Sequence, residues 1–451
     1  MTLPVTLSKS NVDLLYQALE QHDIEKAQQL VIDIHPAEIA LVLESLPAKQ
    51  RELLWQVVKA EQGQILPHIT DIVRAELIQT MQLNDVVTAT QNMDTDDAVD
   101  VLQDLSDDMA AQVLQVMEAQ PRERLTQVLF YPEDTAGGLM NIDMLTIRAD
   151  VTLKTVLRYL RRLQTLPDKT DMLMVIDRNN RYQGVLILTD ILTNKAKCTV
   201  GEIMKTEIKA VPATLSTHEV ARLFEKHDLV SAPVVDEKGM LVGRITVDDV
   251  MDVLRSEADH NLMGQAGLDE EDDMFAPVLM TTRNRAIWLG INLGTAFLAA
   301  WVIGLFEATL EKVVALAVLM PIVASMGGIA GTQTLTIMIR GMAVDQVTES
   351  NTPWLLRREL AVGFLNGLLW AVVVAGIAIL WFKSIQLGLI IGSAIIINLF
   401  FAALAGMLVP LILKRLAIDP ALAGGVILTT ITDVIGFAAF LGLATLVLTT
   451  Q

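Results

Sequence analysis

The sequence predicts a multidomain membrane protein with an all-α N domain, two α/β modules, a connecting helix and a five-helix transmembrane domain. Three observations predict this class. Residues 1–282 hold 46 acids and 25 bases, a formal charge of −21, whereas residues 283–451 hold seven and nine, a charge of +2. Five apolar segments in the second part are long enough to cross a bilayer, which takes about 20 residues. Residues 139–255 contain one α/β pattern twice, 59 residues apart.

The N domain, residues 1–138, is predicted to be helical. Apolar residues recur at helical spacing over 23–33, 36–46, 48–59 and 95–105, with Pro and turn residues between these segments. The segments that begin at Pro36 and Thr95 look like two copies of one unit. Short repeated helices indicate a small superhelical domain.

The two α/β modules are predicted at 139–198 and 199–255. The segment 175–184 matches the segment 234–243, and each copy indicates a strand, a turn, a second strand and a helix that opens near Asp190 or Asp249. This pattern resembles a tandem pair of CBS domains. The resemblance implies that Thr246 and Asp249 contact the ribose of an adenine nucleotide such as ATP in the second module, whereas Ile187 replaces the Thr in the first. A platform for dimerisation and coupling, without nucleotide, is the alternative.

A connecting helix is predicted over 256–282, before the transmembrane domain of 283–451. The connection is acidic, and Gly264 and Gly267 indicate a break between two helical pieces. It leads directly into the first span, so we expect a movement there to reach the membrane. Its acids are Glu257, Asp259, Asp269, Glu270, Glu271, Asp272 and Asp273.

The five spans are predicted at roughly 286–306, 313–339, 359–382, 386–413 and 421–448. Basic residues concentrate before the first span and in alternate loops, which predicts a cytoplasmic N-terminus and an outside C-terminus in a bacterial inner membrane. The first fifteen residues lack the features of a signal peptide. The single Cys198 fits a reducing compartment. The acidic half would repel nucleic acid but attract divalent cations.

Asp433 is the only acid in the apolar stretch 421–448. A carboxylate at membrane depth costs several kcal/mol on insertion scales, so such residues usually face an interior or a water-filled path. Hydrated Mg2+ is a hard cation that one or two carboxylates can hold through retained water. The alternative is a structural carboxylate paired within the bundle. The absence of Lys, Arg and His from this segment favours an ion path.

Acids in the first half are also regularly placed. Asp96, Asp100 and Asp104 have spacing four, so a helix puts them on one face, where like charges repel. Asp248 and Asp252 repeat this spacing. Cations that neutralise such faces would draw them together, which is a mechanism for a divalent-ion sensor. On spacing alone an ordinary solvated face is the favoured interpretation.

Two other features of the second half point to ion handling. Residues 321–333 carry a proline and three glycines, which predicts an interruption of the second span and freed carbonyls that can serve hydrated cations. Asp419 precedes the last span on the predicted cytoplasmic side, where it could gather cations, cap the helix, or do both.

Taken together, the chain resembles the MgtE family of magnesium channels over nearly its full length. The domain order matches, and so do five motifs, which are Tyr131 to Met140, Thr246 to Asp252, Pro321 to Gln333, Ile418 to Ala421 and Thr432 to Gly436. The resemblance favours the sensor interpretation over the solvated face. It implies a homodimer in membrane lipid, with the pore on the two-fold axis and hydrated Mg2+ held by Asp433 of both chains.

Further sites are implied by the same resemblance. Asp419 would lie at the cytoplasmic mouth. The pore would be lined by Gly327, Gly328, Gly331, Gln333, Gly425 and Thr429. Regulatory Mg2+ would bind between domains at Asp96, Asp100, Asp228, Asp249, Asp252 and Glu257, with the backbone near Gly138.

The chain departs from the family pattern at several positions. Ile329, Thr332 and Gly425 stand where the family commonly has Asn, so three amides near the ion path are missing. Ser216, His218, His260 and Asn261 replace acids of the sensor, which predicts fewer or weaker regulatory sites.

The function predicted first is passive Mg2+ entry gated by cytoplasmic Mg2+. The alternatives are a channel for another divalent cation such as Co2+ or Mn2+, and a membrane sensor without conduction. An enzyme is not predicted, because all six His precede the membrane half and no metalloprotease, phosphate-loop or ATP-driven pump motif is visible.

Overall fold

The structure is a computed structural model that describes residues 9–448, apart from residues 33, 92, 168, 269–273, 277 and 345. The chain forms two compact units. Within the described residues, one unit lies in 1–257 with 274–276, and we call it the cytoplasmic unit after the location predicted for it from the sequence. The other lies in 258–268 with 278–448, and we call it the membrane unit.

The cytoplasmic unit begins with short helices, and the four helical segments predicted in the N domain are confirmed. Two of them start at clear signals: Asp23 Oδ1 accepts the Lys26 N–H at 3.1 Å, and Pro36 occupies the first turn of its helix. Buried leucines and Trp55 form a continuous core. The helices are α1 (Lys9–Glu20), α2 (Ile24–Val31), α3 (Pro36–Glu44), α4 (Ala48–Val57), α5 (Gln62–Ile65), a 3-10 turn (Leu66–His68), α6 (Asp71–Gln79), α7 (Leu83–Gln91), α8 (Thr95–Gln103), α9 (Asp107–Val116) and α10 (Ala119–Leu129).

Two three-stranded sheets follow, and the predicted repeat is confirmed in them. The first sheet has the order β1 (Thr146–Arg148), β2 (Met172–Ile176), β3 (Tyr182–Ile187), and the second has the order β4 (Val211–Pro212), β5 (Ser231–Val235), β6 (Leu241–Thr246). In each sheet the first pair is parallel, the second is antiparallel, and the register shifts at the same place, between Val175 and Ile176 or between Val234 and Val235. The accompanying helices are α11 (Leu153–Leu163), α12 (Leu188–Thr193), α13 (Val200–Ile203) and α14 (Thr217–His227).

Helix α15 (Val247–Gln265) crosses the predicted start of the connecting helix without a break. No proline interrupts this segment, and the helix that opens after β6 simply continues. It ends beside Gly267, whose φ of +70° is a left-handed conformation that glycine adopts without strain. Of the predicted acidic connection, residues 269–273 lie outside the described part of the chain.

The membrane unit contains five helices that are long and apolar enough to cross a membrane, counted over the described residues. They are α16 (Val278–Gly304), α18 (Ala315–Ala343), α19 (Thr352–Phe382), α20 (Ile385–Arg415) and α21 (Pro420–Leu448), with the short α17 (Glu307–Lys312) between the first two. The five predicted spans are confirmed. The ends of each helix lie a few residues from the ends of its predicted span. The reason is that turns exposed to the bilayer and to its interface with water keep the helical conformation.

One expectation about these spans is wrong. The stretch from Pro321 to Gln333 does not interrupt the second span, because α18 is continuous with Pro321 inside it. Gly327 and Gly331 serve close packing instead, whereas a Cβ atom at Gly328 would meet nothing within 4 Å. A side chain at Gly331 would overlap Leu428, and one at Gly406 would lie 2.8 Å from the Gly331 carbonyl oxygen. α20 packs against α18, α19 and α21.

Candidate cation sites

A groove lined by both polar and apolar residues opens between α18 and α21 in the membrane unit. Its volume is about 510 Å3. It is lined by Ala324, Ser325, Gly328, Ile329, Thr332, Gln333, Thr429 and Asp433. These residues recur about every three to four positions along the two helices, so each helix presents one face to the groove. Thr332, Gln333 and Thr429 are exposed in a single chain although they belong to membrane-spanning helices.

Asp433 is the one carboxylate in this groove. Its side chain is partly exposed, and within the described residues no ion pair or side-chain hydrogen bond reaches it. The alternative of a carboxylate paired within the bundle therefore has no support in the described contacts. The groove also contains the hydroxyls of Thr332 and Thr429 and the amide of Gln333. Oxygen atoms of this kind can hold a hard, hydrated cation.

The predicted pore-lining residues divide into two sets. Gly328, Gln333 and Thr429 line the groove. Gly327 and Gly331 do not, because both are buried against neighbouring helices: Gly327 touches Asn398, and Gly331 touches Leu428. Gly425 also lies away from the groove, near the backbone of Gln265.

Asp419 begins the last span and has two partners. Its Oδ1 accepts the N–H of Ala421 at 2.9 Å, so the predicted helix cap is present. Its Oδ2 lies 2.7 Å from Nε2 of His260 on α15. The C-terminal end of α15 thus packs on the start of α21 inside the membrane unit, where Gly264 lets Ala421 approach closely.

A second candidate site is an acidic cluster in the cytoplasmic unit, at the start of α8. Carboxylate oxygens of Asp94, Asp96 and Asp97 lie within 4.8 Å of one another. Asp96 Oδ1 accepts hydrogen bonds from Asn141 Nδ2 at 2.9 Å and from the Asp97 N–H at 3.1 Å. Asp249 lies at the start of α15, close enough for the charge of Asp96 to help raise its pKa. The structure therefore brings Asp96 and Asp249 into one neighbourhood.

This cluster carries unfavourable charge. Burial, then Asp96 and Asp94, raise the pKa of Asp97 from 3.8 to about 7. Burial and Asp96 also raise the pKa of Asp249, although two hydrogen bonds from Thr246 oppose the shift. Two basic side chains interact electrostatically with the cluster. They are Arg244, which is buried, and Lys169, which forms an ion pair with Asp248. A bound divalent cation would relieve the remaining repulsion.

The other predicted regulatory residues are placed less closely together. Asp100 and Asp252 are exposed on α8 and α15. Asp228 is an exposed left-handed residue at the end of α14, and no ion pair or side-chain hydrogen bond between described residues joins it to the other predicted ligands. Gly138 is buried in a turn where a Cβ atom would lie 2.5 Å from the Pro132 carbonyl oxygen. Glu257 Oε1 lies 2.6 Å from Nδ1 of His218.

The two predicted nucleotide contacts, Thr246 and Asp249, are hydrogen-bonded to each other. Thr246 Oγ1 donates to Asp249 Oδ2 at 2.8 Å. Both groups stand at the end of β6 and the start of α15, where the predicted ribose site requires them. Asp249 also belongs to the acidic neighbourhood of Asp96, so one carboxylate serves two predicted sites.

Sequence analysis missed several residues of these sites. Asp94 and Asp97 flank the predicted Asp96, and the run of acids at 94–97 was a visible signal. Asp104, which shares the predicted acidic face, is bound to Arg74 at 2.5 Å and is therefore neutralised within the N domain. Ser325 also lines the groove and was not predicted individually, whereas Ile329 and Thr332, expected near the ion path, line it beside Asp433.

Comparison with known families covers most of the chain. The family model for the MgtE intracellular N domain matches residues 34–134, and the CBS domain model matches residues 136–197 and 200–256. The model described as MgtE, divalent cation transporter, matches residues 320–443.

Individual relatives agree. A magnesium transporter MgtE of Thermus thermophilus is 30% identical over 450 residues, which is 96% of this chain and 98% of the relative. A magnesium transporter MgtE of Bacillus subtilis is 31% identical over 329 residues, 73% of each chain. A solved structure of the cytosolic domain of the Mg2+ channel MgtE in complex with ATP is 30% identical, covers 54% of this chain and 99% of that one, and has a TM-score of 0.49.

These relatives are named for magnesium transport, which is not an enzymatic activity. The groove contains the carboxylate of Asp433 on an apolar helix, and the other unit contains a cluster of acids. With matching N-domain, CBS and transmembrane models in one order and a relative aligned along almost the whole chain, this protein belongs to the MgtE family of divalent cation transporters.

Proposed function

We propose that this chain forms a homodimeric channel that admits Mg2+ to the cytoplasm across the inner membrane, and that cytoplasmic Mg2+ closes it. The observation that carries the proposal is Asp433 in the groove between α18 and α21. A carboxylate without a described basic partner, surrounded by hydroxyl and amide groups, suits a cation that keeps part of its water shell. Mg2+ gives up its water reluctantly, so contact through water is the expected mode.

A second copy of the chain is the proposed partner that completes the pore. Polar residues of the groove are exposed in one chain, and polar groups that face lipid are costly. A two-fold partner would place the same groove opposite and would bring two Asp433 carboxylates to one path. The remaining apolar surface of the spans would face membrane lipid. The distribution of basic residues supports a cytoplasmic N-terminus and an outside C-terminus.

Closure by cytoplasmic Mg2+ is supported by the acids of the cytoplasmic unit. The cluster around Asp96 and Asp249 is strained by its own charge, and a bound cation would stabilise its compact form. We propose Asp100, Asp228, Asp252 and Glu257, with the backbone at Gly138, as further ligands. Asp419 is proposed as the residue that gathers cations at the inner mouth while it caps α21.

The central experiment replaces Asp433 in liposomes that contain the purified full chain. Asp433→Ala should reduce Mg2+ flux by at least tenfold, because the groove then lacks its only carboxylate. Glu311→Ala, at an exposed acid on α17, serves as a matched control for a general loss of acid, and we expect it to keep wild-type flux. Both variants must insert and elute like wild type. Wild-type flux from a correctly inserted Asp433→Ala protein would contradict the proposal.

A channel for another divalent cation is the second candidate, and one observation favours it. Ile329 and Thr332 line the groove in place of amides that would orient the water shell of Mg2+. Flux of Co2+ and Mn2+ measured beside Mg2+ in the same liposomes decides between the two. The non-conducting sensor is excluded if any of these ions passes at a rate that depends on Asp433.

A nucleotide site in the second CBS domain is proposed at Thr246 and Asp249. Their adjacency at the start of α15 supports ribose binding, whereas Asp94, Asp96 and Asp97 would repel the phosphates. Binding of ATP should therefore strengthen when Mg2+ accompanies it. Calorimetric titration of ATP into wild type and Asp249→Asn, each with and without Mg2+, tests the site.

A further inference from the structure

Asn398 is a fully buried polar residue in the middle of the membrane unit. It lies on α20, and its exposed fraction is 0%. Its side chain reaches between α18 and α21, which are the two helices that form the groove. Neither the ion path nor any packing contact discussed above accounts for an amide at this place.

Two glycines make room for the Asn398 side chain. A Cβ atom at Gly327 of α18 would overlap its amide group. A Cβ atom at Gly436 of α21 would lie 2.7 Å from its Nδ2 atom and 3.2 Å from its Oδ1 atom. In both cases the nearest atoms belong to Asn398 alone. The amide therefore fills the space that both glycines leave, and it touches both helices at once.

The hydrogen bonding of Asn398 is incomplete. Nδ2 donates to the backbone carbonyl of Val323 on α18 at 2.8 Å. Oδ1 is buried and has no hydrogen-bond partner among the described residues. A buried acceptor without a partner costs free energy, so stability alone does not favour an amide over an apolar group here.

The contacts of Asn398 lie directly behind the groove. Val323 and Gly327 are next in sequence to Ala324 and Gly328, which line it. Gly436 follows Asp433 by three residues, less than one turn of α21. A shift of either helix against Asn398 would therefore move groove-lining residues by a similar amount.

We propose that Asn398 is a positioning residue for ion permeation: its amide holds α18 to α20 through Val323 and spaces α21 through Gly436, so that it sets the width of the groove at Asp433. The proposal rests on the conducting role assigned to the groove. It adds a residue that does not touch the ion and that acts through the two helices.

The test separates the hydrogen bond from the space that the side chain fills. Asn398→Ala removes both. The double variant Asn398→Ala with Gly436→Ala returns one methyl group to the vacated space, which no other side chain occupies, without restoring the bond to Val323. Asn366→Ala, at an exposed amide on α19, is the control for loss of an amide from a span.

Each protein is measured for thermal midpoint, for Mg2+ flux and for the ratio of Mg2+ to Co2+ flux. We expect Asn398→Ala to lower the midpoint and to change the flux ratio at least threefold. The double variant should recover most of the thermal midpoint that Asn398→Ala loses. Its ratio of Mg2+ to Co2+ flux should stay different from that of wild type. Recovery of both quantities in the double variant, or an unchanged ratio in Asn398→Ala, would overturn the proposal.

A readout without transport keeps the inference separate from the proposed function. Cys198 is the single cysteine, so Cys198→Ser gives a background into which Thr332→Cys and Thr429→Cys are introduced across the groove. Bifunctional thiol reagents of graded length then report groove width as intramolecular cross-links, which migrate as monomer on a denaturing gel. The preferred length should change in Asn398→Ala and not in Asn366→Ala, even if Asp433→Ala proves to conduct normally. If the reagent length that cross-links best is the same in the background protein, in Asn398→Ala and in Asn366→Ala, that result alone would overturn the inference.

Discussion

The carboxylate of Asp433 shows how much one residue can decide in a membrane protein. Ionised side chains are rare in spans because hydrocarbon does not solvate them. The groove around Asp433 provides hydroxyls, an amide and open space instead of a basic partner. On the proposed function, such a site would hold a cation through water, and its selectivity would depend on the groups that orient that water.

The first residue-scale prediction concerns those groups. Replacing Ile329 and Thr332 with Asn should raise the ratio of Mg2+ to Co2+ flux several-fold, because both positions line the groove beside Asp433. Adding Gly425→Asn should contribute little, since Gly425 lies away from the groove. Flux ratios in liposomes check this. An unchanged ratio in the double variant would show that groove width and Asp433 alone discriminate.

The second residue-scale prediction concerns pH. The pKa of Asp97 is raised from 3.8 to about 7, so the folded cytoplasmic unit binds a proton that the unfolded chain has already released. Without Mg2+, its stability should fall as pH rises from about 4 to 7 and should level off above. Each pKa unit corresponds to about 1.4 kcal/mol, reduced here by partial solvent access.

Thermal unfolding of the metal-free protein between pH 5 and 8, followed by fluorescence, measures this dependence. Asp97→Asn should make the curve shallower without removing the slope, because Asp100 and Asp249 also have pKa values raised to about 7, and Asp107→Asn, at an exposed acid on α9, should leave it unchanged. Saturating Mg2+ should weaken the dependence because the cation competes with the proton. A wild-type slope in Asp97→Asn would place the titrating group elsewhere.

At the scale of elements, glycines decide how closely the spans pack. α18 and α20 meet where Gly331 and Gly406 face each other, and α19 meets α20 at Gly363 and Gly367. Close approach of this kind is how helices associate in lipid, where no hydrophobic effect drives them together. It also explains why the glycine-rich part of α18 stays helical, because neighbouring helices support it on both sides.

Gly406→Ala tests this packing. Its Cβ atom would lie 2.8 Å from both the Gly331 carbonyl oxygen and the Thr334 Cβ atom, so a helix must shift. We expect a destabilisation of about 1–3 kcal/mol from overpacking, against a gain of roughly 1 kcal/mol in helix propensity. Gly376→Ala, where a Cβ atom meets nothing within 4 Å, should be neutral or stabilising. Equal thermal midpoints for the two variants in detergent would contradict the packing argument.

At the scale of the whole molecule, α15 belongs to both units. Its first half carries Asp249 and Asp252 in the cytoplasmic unit, and its last turns carry His260 in the membrane unit. On the proposed function, an ion bound to the acids of the first half would act on the same helix whose last turns contact Asp419. A shift from almost closed to almost open needs about 5.5 kcal/mol of differential binding, which a few bridging ions can supply.

Neutralising the sensor acids tests this coupling. A variant with Asn at 96, 100, 249 and 252 should lose both the repulsion and the cation binding, so its protease sensitivity between residues 258 and 268 should no longer respond to millimolar Mg2+. The matched control neutralises the exposed acids Asp107, Asp108, Glu118 and Glu123 and changes the net charge equally. Protection that persists in the first variant would mean that the sensor lies elsewhere.

Sequence by itself determined the class of this protein, its five spans, its repeated α/β modules and the place of Asp433 as an acid within an apolar span. These properties follow from the amino-acid composition, from the spacing of apolar residues and from the free-energy cost of burying a charge. Each of these depends on residues that are close together in the sequence. Only the tertiary structure decided which residues meet: Asp249 with Asp96, His260 with Asp419, and Asn398 with two glycines. It also decided that α18 continues through its glycines and that Gly327 and Gly331 face neighbouring helices. Such contacts join residues far apart in sequence, and packing of whole elements sets their distances.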